Sequence, residues 1–183
     1  PKCNMATGEL VSMEALARWQ KSDGTFVSPE EFIPLFESSG FITRFDMYIW
    51  KSVCKTLAAW QDKGCKLVPI SINVSMIDIT NIDVPQYLSM LTEQYHISPE
   101  YLPVEITESV FAESNTIVKN TITRFHKKGF YVLMDDFGSG YSSLNVLKDA
   151  NVDYLKLDMK FMQIDAKNKG KGIQILKSIV DMA

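Results

Sequence analysis

The chain has 183 residues, 46% of them hydrophobic and 22% charged, with a formal net charge of −3 at pH 7. That length supports one domain with a sizeable core, the composition is that of an ordinary globular domain, and the slight acidity excludes the global basic footprint of a duplex nucleic-acid binder. Cys3, Cys54 and Cys65 show no C-x-x-C spacing, which argues against a disulfide framework or a zinc site and fits a reducing compartment. No apolar run approaches the ~20 residues of a membrane span and no signal peptide is visible, so a cytoplasmic domain without membrane contact is expected. The start at Pro1, without Met, suggests a piece of something longer.

Short apolar runs alternate with segments of helical spacing. Glu9–Trp19 reads as the first strand. Ser28-Pro29-Glu30-Glu31 reads as a capping box with proline at the first helical position, opening a helix that ends near Gly40. Phe45–Lys63 has apolar residues at helical intervals and stops at Gly64. There follow a strand at Lys66–Val74, a helix at Pro85–Tyr95, a strand at Leu102–Thr107 and a helix at Asn115–Lys128, stopped by Gly129. A strand at Phe130–Met134, a short helix at Ser142–Lys148, a strand at Val152–Leu157 and a helix at Ile173–Ala183 complete the series. Near-continuous apolar character predicts that all five strands are buried on both faces. Phe32, Phe36, Trp50, Trp60, Met90 and Phe125 fall at helical spacing and are predicted core, the cysteines inert packing residues, and Lys167–Lys171 a solvated turn. Strand–helix alternation implies a largely parallel sheet, doubly wound or closed as a barrel.

Function shows in where the polar residues fall. Glu14 lies in the first apolar run, Asn73 ends the second, and Glu105 and Glu108 end the third. Asp135 and Asp136 follow the fourth, and Lys156 and Asp158 close the fifth. In parallel α/β folds the C-terminal strand edge is where ligands sit. Converging carboxylates repel unless a cation lies among them. The all-oxygen set suits Mg²⁺ or Mn²⁺ rather than zinc, and an adjacent Asp pair is suited to bridging two ions for in-line displacement at phosphorus. Lys156 supplies a positive charge to the phosphate or to the attacking water. Asp136 opens a Gly-Ser-Gly loop whose two glycines permit an unusual backbone path, and Ser142 or Ser143 can cap the next helix.

Singly, each feature has a plainer explanation. Glu14 can be an edge residue, Asn73 a turn residue, Asp135-Asp136 a capping loop, Lys156 a snorkelling lysine and Arg18 an ordinary surface arginine. The agreement of five strand ends in place and in chemistry favours a site.

These residues resemble the EAL domain family. Glu14-Ala15-Leu16 is the signature of that name and continues into Ala17-Arg18-Trp19, while ATGELVS, SPEEFIPLFESSGFI, INVS, EITES, DDFGSGYSSL and YLKLD match in order and spacing across the chain. The resemblance implies a TIM-like (β/α)8 barrel, of which the sequence covers about five strands, with its first strand antiparallel to the rest, and hydrolysis of cyclic-di-GMP to linear pGpG. By the same resemblance Glu14, Asn73, Glu105, Asp135 and Asp136 are metal ligands for two Mg²⁺ or Mn²⁺ ions, with Asp135 shared. Lys156 and Glu14 are catalytic, Leu16, Arg18 and Asp158 bind substrate, and Glu108 anchors the DFGSGYSSL loop. Residues 1–183 are expected to be one EAL domain cut at both ends, lacking the first strand and the last two, with a further catalytic Glu and a Gln beyond Ala183. A homodimer, neighbouring GGDEF or sensory domains and a bacterial signalling role are implied. The competing readings are a catalytically silent EAL domain that senses cyclic-di-GMP, a protein-interaction module and, more remotely, a receiver-like doubly wound domain.

Overall fold

The computed structural model describes residues 1–112, 116–139, 147, 150–159, 174, 177 and 178. The predicted helices at Ser142–Lys148 and Ile173–Ala183 and the turn at Lys167–Lys171 lie almost wholly outside the described residues. In chain order the strands are β1 (Lys2–Cys3), β2 (Leu10–Glu14), β3 (Trp19–Gln20), β4 (Phe26–Val27), β5 (Ile70–Asn73), β6 (Val104–Thr107), β7 (Val132–Phe137) and β8 (Tyr154–Leu157). The helices are α1 (Pro29–Ser38), α2 (Ile42–Asp62), α3 (Met76–Asn81), α4 (Val84–Gln94), α5 (Glu108–Ala112) and α6 (Thr116–Lys127). One sheet has the order β1-β2-β5-β6-β7-β8, and β3 with β4 forms a separate antiparallel pair. β1 runs antiparallel to β2, and every other neighbour in the large sheet is parallel. Parallel neighbours need crossover connections, and described helices supply those from β2 to β5, β5 to β6 and β6 to β7, so the strands follow chain order as in a singly wound α/β barrel.

The core lies between the sheet and α2, α4 and α6. Trp50, Cys54 and Leu57 of α2, Leu88 of α4 and Phe125 of α6 are inaccessible to solvent, as are Ile72, Val104, Ile106 and Val132 of the strands. Trp50 also donates its indole N–H to the Asn73 carbonyl at 3.0 Å, which ties α2 to the end of β5. No described helix is long and apolar enough to cross a membrane.

Several sequence expectations change. β5, β6 and the first half of β7 are buried as predicted, but β2 exposes Leu10 and Val11, and β8 is only partly buried. β2 meets only a two-residue partner along β1, and no described strand covers the far edge of β8. The first run is strand only to Glu14, after which Ala15–Arg18 leaves the sheet. The fourth strand does not stop at Met134: parallel pairing with β8 carries it through Asp135 and Asp136 to Phe137. α2 starts at Ile42 rather than Phe45, because Ile42 and Thr43 are already buried. Ser28 accepts from the N–H of Glu30, not Glu31, and the reciprocal capping box forms instead between Ser75 and Asp78 at α3, a helix too short to announce itself by periodicity. Met90, Cys3 and Cys65 are exposed rather than packed. Truncating Leu57 to Ala leaves a cavity where the core is fully closed, and a loss of about 2–5 kcal/mol of unfolding free energy is expected, measured by urea denaturation.

Candidate active site

Four parallel strands deliver their charged residues to one place. Glu14 ends β2, Glu105 lies in β6 opposite Asn73 of β5, and Asp135 lies in β7 opposite Thr107. One carboxylate oxygen from each of Glu14, Glu105 and Asp135 lies within 4.8 Å of the others. Lys156 of β8 occupies the middle: its Nζ donates to Glu14 Oε2 at 3.1 Å, to Asp135 Oδ2 at 2.8 Å and to Glu105 Oε2. Asn73 Nδ2 reaches Glu14 Oε1 at 3.5 Å. The register explains the convergence: Glu14 pairs with Ser71, Asn73 with Glu105 and Thr107 with Asp135, so the site positions step by two residues from strand to strand and stay on one face of the sheet.

Glu105 is 1% exposed. Burial pushes its carboxyl up, but hydrogen bonds from Lys156, Lys2 and Ser71 outweigh that and hold it below its ordinary value. Burial pushes the Lys156 ammonium down, and its hydrogen bonds to Asp135 and Glu105 drive it the other way, well above the ordinary lysine value. Three carboxylates against the two ammoniums of Lys156 and Lys2 leave the cluster negative. Hard oxygen donors, a residual negative charge and spacing that one small cation can bridge fit a divalent ion of the Mg²⁺ or Mn²⁺ type.

The remaining predicted residues spread around this triad. Asp136 does not share it. Its backbone takes φ 56° at a register shift in β7, and its N–H donates to Asp135 Oδ1 at 2.8 Å. Burial, then repulsion from Asp135 and Asp158, pushes the Asp136 carboxyl up. Asp158 donates its backbone N–H to the Phe137 carbonyl at 3.0 Å. Glu108, 2% exposed, accepts from the N–H of Gly138 at 2.9 Å; the loop beyond Ser139 lies outside the described residues. Leu16 and Arg18 stand apart from the carboxylates on the wall of a neighbouring cleft of about 480 Å³, into which Asn73 and Glu105 also open. Among the described residues Arg18 donates to its neighbour's carbonyl, Ala17 O, at 2.8 Å.

The EAL domain family model matches residues 1–183. The chain belongs to the EAL domain family. The EAL chain is 35% identical over 184 residues to the "Probable cyclic di-GMP phosphodiesterase PdeB" of Escherichia coli (strain K12), covering 100% of this chain and 34% of that protein. It is 30% identical over 183 residues to the "Cyclic di-GMP phosphodiesterase PA2567" of Pseudomonas aeruginosa, covering 100% of this chain and 31% of that protein. The chain thus spans about a third of the length of these curated relatives. Among solved structures, the EAL enzyme Bd1971 in a cAMP-bound form superposes with a TM-score of 0.86 at 26% identity, over 99% of this chain and 51% of that one. The PaMucR phosphodiesterase in complex with c-di-GMP gives a TM-score of 0.80 at 26% identity, over 95% of this chain and 70% of that one. The sheet described above is therefore part of the TIM-like barrel of EAL domains.

Two features of this EAL domain escape sequence reading. Lys2 reaches the cluster from β1, with no apolar strand pattern to flag it. Asp46 of α2, lining the same cleft, faces Asp78 of α3. Asp78 is fully buried, with one oxygen capping α3 and Oδ1 without a hydrogen-bond donor among the described residues. Burial, then repulsion from Asp78 and its hydrogen bond, then Glu37, pushes the Asp46 carboxyl up to about 8, so a protonated Asp46 supplies the missing donor. Because its folded value lies above the ordinary 3.8, the folded protein keeps a proton that the unfolded chain releases, and stability falls as pH rises from about 4 to about 8. Asp46→Asn carries its donor at every pH, so its advantage over wild type in urea unfolding is expected to grow steadily across that window. A constant difference between the two proteins would count against the shared proton.

Proposed function

We propose that this EAL domain hydrolyses cyclic-di-GMP to linear pGpG with the help of Mg²⁺ or Mn²⁺. The observation that carries the reading is the convergence of Glu14, Glu105 and Asp135 around Lys156 at adjacent parallel strand ends. Family membership supports it, since curated relatives bear the name cyclic di-GMP phosphodiesterase and a related phosphodiesterase was solved with c-di-GMP. In this reading Glu14, Asn73, Glu105, Asp135 and Asp136 would hold the ions. Bound ions supply an activated water and neutralise charge on the phosphate. Once a cation takes its place on the carboxylate oxygens, Lys156 would be released to donate a hydrogen bond that orients the attacking water and to set a positive charge beside the phosphate.

Water adds to phosphorus as the bond from phosphorus to one ribose oxygen breaks. That oxygen leaves with a proton, so one water is consumed and the ring opens. Leu16, Arg18 and Asp158 bind the nucleotide in this reading. The cleft beside the triad has the volume of a small-molecule site, and a guanidinium pairs with phosphate bidentately. Glu108, through the Gly138 N–H, holds the backbone two residues after Asp136 and thereby steadies the loop. A homodimer across that loop, and sensory or GGDEF domains in the rest of the parent chain, complete the proposal.

Hydrolysis of cyclic-di-GMP by the full-length protein with Mn²⁺ tests it. Linear dinucleotide is expected from the wild type only when metal is present, none from Glu14→Ala, and a kcat lowered roughly 10²–10³-fold in Lys156→Ala. Saturable nucleotide binding without product would replace the enzyme with a sensor.

A further inference from the structure

The cluster has a second ammonium, and it sits differently from the first. Lys2 Nζ donates to Glu105 Oε1 at 2.5 Å and to Ser71 Oγ at 3.0 Å. Ser71 Oγ also bonds Glu105 Oε1 and lies 3.1 Å from the Met13 carbonyl. The two oxygens of Glu105 therefore keep different company: Oε1 is held by Lys2 and Ser71, while Oε2 meets Lys156. Lys156 spans all three carboxylates of the triad, whereas Lys2 bonds Glu105 alone among them. Lys2 is also fixed from behind, because its strand pairs Lys2 with Ser12, two residues before Glu14.

The geometry points to Lys2 as a residue that sets how tightly this centre takes up a divalent cation. It sets an ammonium on the rear oxygen of a carboxylate that is 1% exposed. Charges there are poorly screened by solvent or salt. A cation entering among Glu14, Glu105 and Asp135 can take the place of the Lys156 ammonium on their facing oxygens. It cannot displace Lys2, which stands behind Glu105 and opposes the ion's charge. Lys2 acts through Glu105, so it is a positioning residue and not a catalytic one. The inference rests on the metal reading proposed above for the same site.

The test is Mn²⁺ titration of the full-length protein without nucleotide, following the paramagnetic resonance of free Mn²⁺. Lys2→Gln removes the charge and keeps an N–H donor for Glu105, Lys2→Met removes both, and Lys2→Arg keeps the charge. Far-UV circular dichroism shows which variants are folded. The half-saturating Mn²⁺ concentration is expected to fall roughly three- to tenfold in Lys2→Gln and Lys2→Met and to stay within about twofold of wild type in Lys2→Arg. An unchanged or higher midpoint in the folded neutral variants would overturn the inference. So would a fall in Lys2→Arg as large as in Lys2→Gln, because the charge would then not be the cause. A wild type that takes up no Mn²⁺ would sink the metal reading itself, and the inference with it.

Discussion

Three carboxylates brought to one point repel one another, and the ammonium of Lys156 lets them share it. Glu14, Glu105 and Asp135 stand 142, 51 and 21 residues from Lys156 in the chain. No local segment can satisfy this arrangement. β2, β6, β7 and β8 must be paired in register before the lysine finds its partners, and the lysine in turn ties the C-terminal ends of those strands together. A buried cluster of this kind is poor evidence of stability, because desolvation opposes the Coulomb gain. What the cluster does is hold the carboxylate oxygens of three strand ends converged around one ammonium.

The backbone beneath the cluster is shaped to the same end. A regular strand would send Asp135 and Asp136 to opposite faces. The register shift in β7 and the left-handed backbone of Asp136, at φ 56°, break that alternation beside the triad. Such positions cost energy for any residue but glycine, and asparagine and aspartate bear them best. Strain of this sort, held in place by flanking strand pairing, is found where a site needs side chains re-aimed. Glu108 fastens the next stretch through Gly138, so the C-terminal end of β7 is held by pairing on one side and by a buried carboxylate on the other.

The wall of the cleft depends on aromatic packing. Trp19 meets Phe32 and Phe36, which in turn meet Phe41 and Phe45, with ring centroids 5.0–6.0 Å apart. These rings fix α1 and the start of α2 against the segment that follows β2 and carries Leu16 and Arg18. The meeting of Asp46 with Asp78 closes the other side, where α2 meets α3. The cleft is thus bounded by apolar contacts and by one polar contact whose strength depends on pH.

Much of this was legible in the sequence because it is periodic or local. Helix spacing, the glycines at 40, 64 and 129 and the buried runs of β5 and β6 follow from patterns that short-range physics imposes. The carboxylates, Asn73 and Lys156 could be read as a site because each sits where an apolar strand ends. What the sequence could not say is who meets whom. Asp135 and Asp136 look alike as neighbours, yet a register shift sends only Asp135 into the triad. Lys2 carries no motif and joins the centre because an antiparallel strand lays it beside Ser12. Asp46 and Asp78 carry no motif either, and only the packing of α2 against α3 brings the half-buried Asp46 to the fully buried Asp78. The sequence by itself determined the long helices, the main parallel strands, their order and the chemistry at the strand ends. Tertiary structure alone decided which charges converge, because pairing register and burial are properties of contacts far apart in the chain.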